Sequence, residues 1–533
     1  MMSDTGKNVV DKLKVNSLTR IATSNICLAS CYGTFLFLYE IKFLREMVSV
    51  LHPILILWSA LVIGYNFFKY RKQRKNISQI LLVTFVILAG ITGILNYKTG
   101  IISNIKAWIL AVIPLGVFYP MCILSEKEKM KKNFILSILF PSFVVFCGSL
   151  IALITYFLRI SQTVSIGGIE ELIGFRYYLS NDPSSGLLLY GIYIDTNHAA
   201  IYSLVFAGFS VYFFLCCRKK IFEHKWANRS GMIYAVINFI LQICYFPLAN
   251  SRGGWLSFAF GFAVIFFIYA YTKIFNGQGT VKKLYKSFLS MFVCGIIVIG
   301  GLIALRGVLV ETANALEVHM NKNVQQIQAK QSEEKHANKA SVEETQEEQE
   351  EKREEFVDAD KDMVNNISIE TETQIDNKTE KKDDTTDLFT KKDRGNGSGR
   401  LLIWKEALQL FQKRPIFGIA PGNSQYYAGK FGVGSEKVAK GFVLHNSYLD
   451  VLVDYGVIGF GVFISFLGVC AWKILKKTLK KESIFETEDY IIMCMLLLMA
   501  AASFFLTCVF INVTAMYFLF LIMLGYLISY EEI

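Results

Sequence analysis

The chain has 533 residues, of which 53% are hydrophobic and only 19% are charged, and it contains 43 Phe and 26 Tyr. This composition excludes an ordinary soluble domain and predicts a membrane protein. The net charge of +11 does not indicate nucleic-acid binding, because the basic residues alternate with apolar stretches and form no continuous aromatic-lined groove.

Twelve apolar stretches are long enough to cross a bilayer as helices. We therefore predict an all-α polytopic membrane protein with about 12 transmembrane helices. The first apolar run has no small-residue cleavage site, so no cleavable signal peptide is expected. The stretches lie at about 21–40, 46–68, 78–97, 104–124, 134–157, 195–217, 231–249, 255–272, 288–305, 456–473, 490–509 and 511–529.

Basic residues cluster in alternate loops, at 69–75, 127–132, 218–229, 273–286 and 473–481. By the positive-inside rule these loops and both termini face the cytoplasm, as in a multi-pass protein of the cell (cytoplasmic) membrane. A large extracytoplasmic loop then follows helix 9. The predicted organisation is transmembrane helices 1–9 in residues 1–305, the loop in 306–455 and transmembrane helices 10–12 in 456–533.

An acidic insert interrupts the predicted outer loop at residues 321–394. It has 21 acidic and 13 basic side chains and almost no aromatic residue. Such a stretch buries too little apolar surface to offset its ordering entropy, so we expect disorder, with a solvated helix near 325–355 as the alternative. The rest of the loop, 400–455, is expected to be structured and helical: Leu401, Trp404, Leu408 and Phe411 recur at helical spacing.

The eleven cysteines all lie within or beside apolar stretches, and the outer loop has none. A disulfide framework and a thiolate metal site are therefore not expected. Outer-face carboxylates do not have metal-ligand spacing either, so neither a metal nor a cofactor is predicted.

The turn before the eighth stretch carries Arg252, Gly253 and Gly254. An arginine at the membrane surface needs an anionic partner, and the N-terminus of the following helix adds free N–H groups and a positive dipole end. Together these features suit a phosphate or diphosphate. A snorkelling arginine at a turn is the alternative.

The start of the sixth stretch carries Asp195, Thr196, Asn197 and His198. Polar groups at that depth usually face a cavity or one another, so Asn197 and His198 are candidate substrate contacts. A helix cap by Asp195 or Thr196 explains part of the cluster, and a structural histidine is the alternative for His198.

His445 and Asn446 stand immediately before an amphipathic run that leads into the tenth stretch. A helix that starts near Asn446 places its positive dipole end beside the imidazole, which favours the neutral ring. A neutral imidazole can accept the proton of a sugar hydroxyl as a general base. An interfacial histidine without a chemical role is the alternative.

The pair formed by Arg252-x3-Leu256 and His445-Asn446-x9-Gly456-x2-Gly459 resembles the motifs of the O-antigen ligase and polymerase family. The stretch with Arg400, Trp404, Pro415, Gly418 and Gly422 is similar to the segment that precedes the family's histidine. The resemblance covers residues from about 195 to 470.

The resemblance implies a metal-independent membrane glycosyltransferase that acts in polysaccharide biosynthesis and moves a glycan from a polyprenyl-diphosphate carrier, on the outer face, to an acceptor hydroxyl on a lipid, glycan or protein. Arg252 and His445 would be catalytic, and Arg400 and Arg176 would grip the second phosphate. Polymerase members often carry an arginine and a glycine with ten residues between them, and none of Arg159, Arg176, Arg252, Arg400 or Arg414 has a glycine at that spacing. Ligase, polymerase and protein-glycosylating forms therefore stay open. A 12-helix transporter or lipid-carrier flippase is the alternative class.

Overall fold

The computed structural model describes residues 22–69, 77–166, 169–177, 187–275, 277–354, 400–433, 444–480, 485–507 and 514–530. The chain divides into two compact units. The first comprises residues 1–313 and 399–533, and it contains the membrane bundle. The second comprises 314–398, of which the structure describes a helical backbone to residue 354.

Helices dominate the described part of the chain. In chain order they are α1 Asn25–Tyr39, α2 Arg45–Ser49, α3 His52–Lys69, α4 Ile77–Leu95, α5 Ile101–Ile113, α6 Tyr119–Ile123, α7 Lys127–Phe157, α8 Thr196–Arg218, α9 Lys225–Ala249, α10 Arg252–Tyr269, α11 Thr280–Glu354, α12 Arg400–Lys413, α13 Ser424–Phe431, α14 Ser447–Thr478, α15 Thr487–Ala502 and α16 Ala515–Ser529. A π-helical turn joins α5 to α6, and a second one extends α10 to Ile274.

Eight helices of the described residues are long and apolar enough to cross a membrane, and a ninth is gained if α2 and α3, which are bent by 61°, form one span. The protein is therefore a multi-pass membrane protein, and its predicted helical class is confirmed. The predicted stretches 21–40, 490–509 and 511–529 coincide with shorter helices of 15, 16 and 15 residues. The total of twelve spans stays a prediction.

Helix α16 forms the centre of the bundle, because every one of its residues is buried. A helix that is apolar on all sides is stable inside a protein core or in the lipid bilayer, and the burial of α16 by neighbouring helices indicates the first. Two glycines allow close packing around it. A Cβ on Gly525 would lie 2.1 Å from the Tyr119 carbonyl oxygen, and a Cβ on Gly33 of α1 would lie 2.3 Å from the Phe518 ring.

A three-stranded antiparallel sheet lies between α7 and α8 in chain order, and it is not predicted from the sequence. It contains β1 Ser161–Ile166, β2 Ile169–Tyr177 and β3 Leu187–Gly191, in the order β1-β2-β3. Strand β3 packs against α7 and α9. Beyond it, the Tyr193 hydroxyl donates to the Val145 carbonyl at 3.1 Å, which anchors this end of the sheet on α7.

The described helices also meet through polar contacts inside the bundle. The Asn238 amide of α9 donates to the Ser210 hydroxyl of α8 at 2.8 Å, the Gln242 amide donates to Asn238 Oδ1 at 3.1 Å, and the Ser149 hydroxyl of α7 donates to Gln242 Oε1 at 3.1 Å. These buried groups satisfy one another and hold three helices together.

An ion-pair cluster lies at one end of the bundle. Lys219, at the end of α8, contacts Glu488 of α15 at 2.8 Å and also contacts Glu486. Lys131 of α7 contacts Glu488 at 3.1 Å. Because Lys219 follows α8 and Asp195 precedes it, Asp195 lies at the opposite end of the bundle, where the candidate site is found.

Candidate functional site

The turn that carries Arg252 is a tightly capped junction between α9 and α10. Asn250 ends α9 in the left-handed region, with φ of +48°. Ser251 caps α10: its hydroxyl accepts from the Gly254 N–H at 3.2 Å and donates to Asn197 Oδ1 at 2.8 Å. Arg252 is the first residue of α10, and its side chain is exposed. The guanidinium and the free N–H groups of the first turn are thus available to an anion.

Asn197 and His198 lie beside that turn, in the first turn of α8. Asp195 caps α8, since its Oδ1 accepts from the N–H groups of Asn197 at 2.6 Å and His198 at 3.4 Å. The Asn197–Ser251 hydrogen bond joins the two helix starts. The structure therefore brings the predicted residues Asn197 and His198 to the Arg252 turn.

His445 is held half-buried at the start of α14. Its backbone is left-handed, with φ of +52°, a conformation that costs about 1–2 kcal/mol outside glycine. Asn446 caps α14, and its Oδ1 accepts from the N–H groups of Tyr448 at 3.0 Å and Leu449 at 3.1 Å. The predicted contact of Asn446 with substrate stays a prediction, because its side-chain oxygen already serves the cap.

The segment after α15 joins the two halves of the motif. The Ser447 N–H donates to the Ser503 carbonyl at 2.8 Å. Two residues beyond Ser503, the Phe505 side chain lies 3.4 Å from where a Cβ on Gly253 would stand. Arg252 and His445 therefore neighbour the same short segment at the same end of the bundle.

Arg400 joins this site from α12. Burial and the nearby Arg400 guanidinium lower the pKa of His445 below its ordinary value, and the Asp195 carboxylate opposes that shift. Burial and the guanidinium therefore favour the neutral ring that the sequence predicts. The backbone of Arg176 lies in β2, opposite Leu188, and its predicted role stays a prediction.

Residues 237–464 match the family model described as O-antigen ligase. This stretch contains Arg252, Arg400 and His445. We call residues 237–464, which match this family model, the O-antigen ligase domain. The resemblance found in the motifs is thereby confirmed, whereas no curated protein matches the chain.

Helix α12 of the O-antigen ligase domain buries one face against the segments that lead into α14. Its buried apolar residues are Ile403, Ala407 and Leu410, whereas Leu401 and Leu408 are 64% and 43% exposed. The Trp404 indole donates to the Leu444 carbonyl at 3.0 Å. Two apolar stripes share this predicted helix: Trp404 and Phe411 pack against the buried inner stripe, whereas Leu401 and Leu408 lie on the outer one. The inner stripe packs against the residue that precedes His445.

The lead-in segment of the O-antigen ligase domain comprises residues 414–431, between α12 and the end of α13. Two glycines let this segment pack closely against α14. A Cβ on Gly418 would lie 2.4 Å from the Asp454 carbonyl oxygen, and a Cβ on Gly456 would lie 2.3 Å from that of Ile416. Their φ angles are +72° and +65°. Backbone hydrogen bonds cross between the two segments, such as Ala420 N–H to the Asp454 carbonyl at 2.9 Å. The motif glycines therefore position α14.

Asparagines outside the O-antigen ligase domain fix its lead-in segment. The Tyr427 hydroxyl of α13 donates to Asn96 Oδ1 at 2.7 Å, and the Asn423 amide donates to Asn104 Oδ1 at 3.0 Å. All four residues are buried. Tyr427 is thus a buried packing residue, whereas Tyr426 is 48% exposed.

Sequence reasoning missed Glu40 as a member of the site. The Ile194 N–H donates to the Glu40 carbonyl at 2.9 Å, and Ile41 pairs with Tyr193, so the end of α1 lies beside the start of α8. The Glu40 carboxylate interacts with His198 and Asp195. A carboxylate at the end of the first apolar run was the only signal in the sequence.

Among the described residues, no group of three or more His, Cys, Asp or Glu side chains is arranged to hold a metal ion.

Proposed function

We propose that this protein is a membrane glycosyltransferase that moves a glycan from a polyprenyl-diphosphate carrier to an acceptor hydroxyl. The observation that carries the proposal is the meeting of the Arg252 turn and His445 beside one segment, within an O-antigen ligase domain. We place this end of the bundle outside the cytoplasm, because the lysine cluster occupies the opposite end.

Arg252 is proposed to stabilise the leaving diphosphate. As the bond between the anomeric carbon and the diphosphate oxygen breaks, its electron pair goes to that oxygen and negative charge grows there. An exposed guanidinium at a helix N-terminus meets this charge with preorganised donors. Arg400 adds a second positive group, so that two guanidiniums perform in this proposal the neutralisation that a divalent cation provides in other transferases.

His445 is proposed to accept the proton of the acceptor hydroxyl. The hydroxyl oxygen forms the new bond to the anomeric carbon while its proton passes to the imidazole. The ring must be neutral to do this, and burial with Arg400 lowers the pKa of His445. His198 and Asn197 are proposed to contact the sugar or the diphosphate, because the Asn197–Ser251 hydrogen bond places the start of α8 beside the Arg252 turn.

An apolar cavity supports a lipid-linked donor. It has a volume of about 640 Å³ and lies among α8, α9, α10, α11 and α15. Phe258 and Phe262, on the helix that begins at Arg252, line it together with Leu498 of α15. A polyprenyl chain in this cavity would extend from a diphosphate at the Arg252 turn into the apolar core.

A transporter is the weaker proposal. Secondary transporters place functional polar groups near the middle of the membrane, at a substrate cavity. The described polar groups Ser149, Asn238 and Gln242 bond to one another instead. The polar and charged groups that lie around His445 stand at one end of the bundle, as chemistry at a membrane surface requires.

The test is to supply purified protein with a synthetic polyprenyl-diphosphate oligosaccharide and an acceptor mixture. Repeated chain growth would identify a polymerase, a single transfer a ligase or protein-glycosylating enzyme. Arg252→Ala and His445→Ala should each abolish the reaction. Wild-type protein that releases no polyprenyl diphosphate under any of these conditions would refute the proposed function.

A further inference from the structure

Two carboxylates lie in the candidate site without a part in the mechanism above. Asp195 stands at the start of α8 and Glu40 follows α1. Asp195 interacts electrostatically with both His445 and His198, and Glu40 with His198 and Arg45. Arg400 completes the charged groups that face His445. The Asp195 carboxylate is thus close enough to His445, the proposed base, to interact with it.

The position of Asp195 is fixed by its backbone surroundings. Its Oδ1 is anchored by two N–H groups of α8, and Ile194 before it is hydrogen-bonded to Glu40 of α1. Two residues after Asp195, the Asn197 side chain accepts a hydrogen bond from the Ser251 hydroxyl at 2.8 Å. Asp195 is therefore built into the same framework that positions Arg252.

The charge state of Asp195 suits the role of a negative partner to a protonated imidazole. Burial raises its pKa, but His198, the N–H groups of Asn197 and His198, and His445 lower it more strongly, so the pKa lies below the ordinary value. Asp195 thus carries its negative charge at neutral pH. Of the three charged or titratable groups that act on His445, Arg400 and His198 disfavour the protonated ring and Asp195 favours it.

We propose that Asp195 is a positioning residue whose carboxylate supplies the counter-charge for the imidazolium that forms on His445 during transfer. The inference rests on the proposed function. When the acceptor O–H bond breaks, its proton binds the His445 ring, whose positive charge then stands beside Arg400. Without a nearby negative charge, the ring would be too weak a base for this step. After transfer, the proton leaves His445 for solvent.

Asp195→Asn separates this role from helix capping, because asparagine caps helices as well as aspartate does. Asp195→Ser keeps a capping oxygen as well and guards against a folding defect peculiar to one variant. The assay is modification of His445 by diethyl pyrocarbonate in the purified full-length protein, followed by peptide mass spectrometry across a pH series. The reagent attacks only the neutral ring, so the midpoint of labelling reports the pKa of His445 without any substrate.

Removing the carboxylate should lower the pKa of His445, since Asp195 raises it. The midpoint is expected to fall by roughly half to one pH unit, which makes labelling below the midpoint about three- to tenfold faster. The exposed His224 serves as the internal reference. Glu126→Gln is the matched control, because it removes an exposed carboxylate that pairs with Lys129 outside the site. An unchanged or raised midpoint in both Asp195 variants would overturn the proposal.

Kinetics supply a second, independent readout. In the glycan-transfer assay, Asp195→Asn should lower kcat by about three- to tenfold with a KM for the donor within about twofold of wild type. A wild-type kcat in this variant, alongside an inactive His445→Ala, would overturn the counter-charge role and leave the proposed function intact. Absence of transfer by wild type would refute the proposed function, whereas the labelling result would stand by itself.

Discussion

Gly456→Ala should break the interlock between the lead-in segment and α14. The new Cβ would lie 2.3 Å from the Ile416 carbonyl oxygen, far inside van der Waals contact. Gly456 also has φ of 65° and ψ of −172°, a backbone region that only glycine occupies readily. Relief requires the backbone of 415–418 to move away from α14, with loss of the Val457 N–H bond to the Pro415 carbonyl at 2.8 Å.

The magnitude follows from these two effects. Strain in such a backbone region costs about 1–3 kcal/mol and forced overpacking about 1–3 kcal/mol, so we expect a loss of about 2–6 kcal/mol. Gly461→Ala and Gly468→Ala are matched controls on the same helix, because a Cβ at either position meets no atom within 4 Å. They should be neutral or stabilise by up to about 1 kcal/mol through helix propensity.

Thermal unfolding of the purified variants in one detergent measures the effect on stability. Limited trypsin digestion adds a local probe, because release of the lead-in segment exposes the bond after Lys413. Gly418→Ala should resemble Gly456→Ala, and the double variant should cost little more than either change, because both break one interface. The reasoning is refuted if Gly456→Ala has the same melting temperature as Gly461→Ala and is cleaved by trypsin at the same rate.

Four further outcomes are expected. Arg252→Ala and His445→Ala should each reduce glycan transfer below detection while membrane insertion, followed by fractionation, stays at wild-type level; transfer by the double variant would contradict the catalytic assignment. Transfer should be lost as the pH falls through the pKa of His445, which lies below the ordinary histidine value, and a pH–rate profile without that acidic limb would exclude it as the base. Deleting 321–394 and rejoining the ends with a Gly/Ser linker should leave transfer largely intact; total loss would show that the insert shapes the acceptor site. Lys219→Met should lower stability by about 1–2 kcal/mol, because it removes one partner of the buried Glu488, with no change in the donor KM; a wild-type melting curve would show that Lys131 suffices.

Local patterns predicted the parts of the site that depend on local chemistry. Apolar length identified the long spans, because the hydrocarbon thickness sets the length of a crossing helix. The helix starts at Arg252 and Ser447 follow from a serine and an asparagine that cap them. Short helices such as α16 are harder, because 15 residues rise only about 22 Å and packing inside protein replaces crossing the membrane.

Non-local pairings could not be read from one sequence. The bond between Glu40 and Ile194 joins residues that no periodic pattern relates. The sheet at 161–191 was missed because its strands are short and lie in a predicted loop. The buried face of α12 could not be predicted, since Leu401 and Leu408 repeat as regularly as the buried Ile403 and Leu410, and only the tertiary partner distinguishes the two stripes.

The central place of α16 has a consequence for how the bundle assembles. Of the described helices it comes last in chain order, yet every side chain it carries is enclosed by segments made earlier. Until α16 is inserted, the inward-facing surfaces of the earlier helices therefore contact lipid or a chaperone. Insertion of α16 then displaces those molecules. A chain truncated before Ala515 lacks α16, so its remaining helices surround an unfilled core. We expect quality-control proteases to degrade such a truncated product.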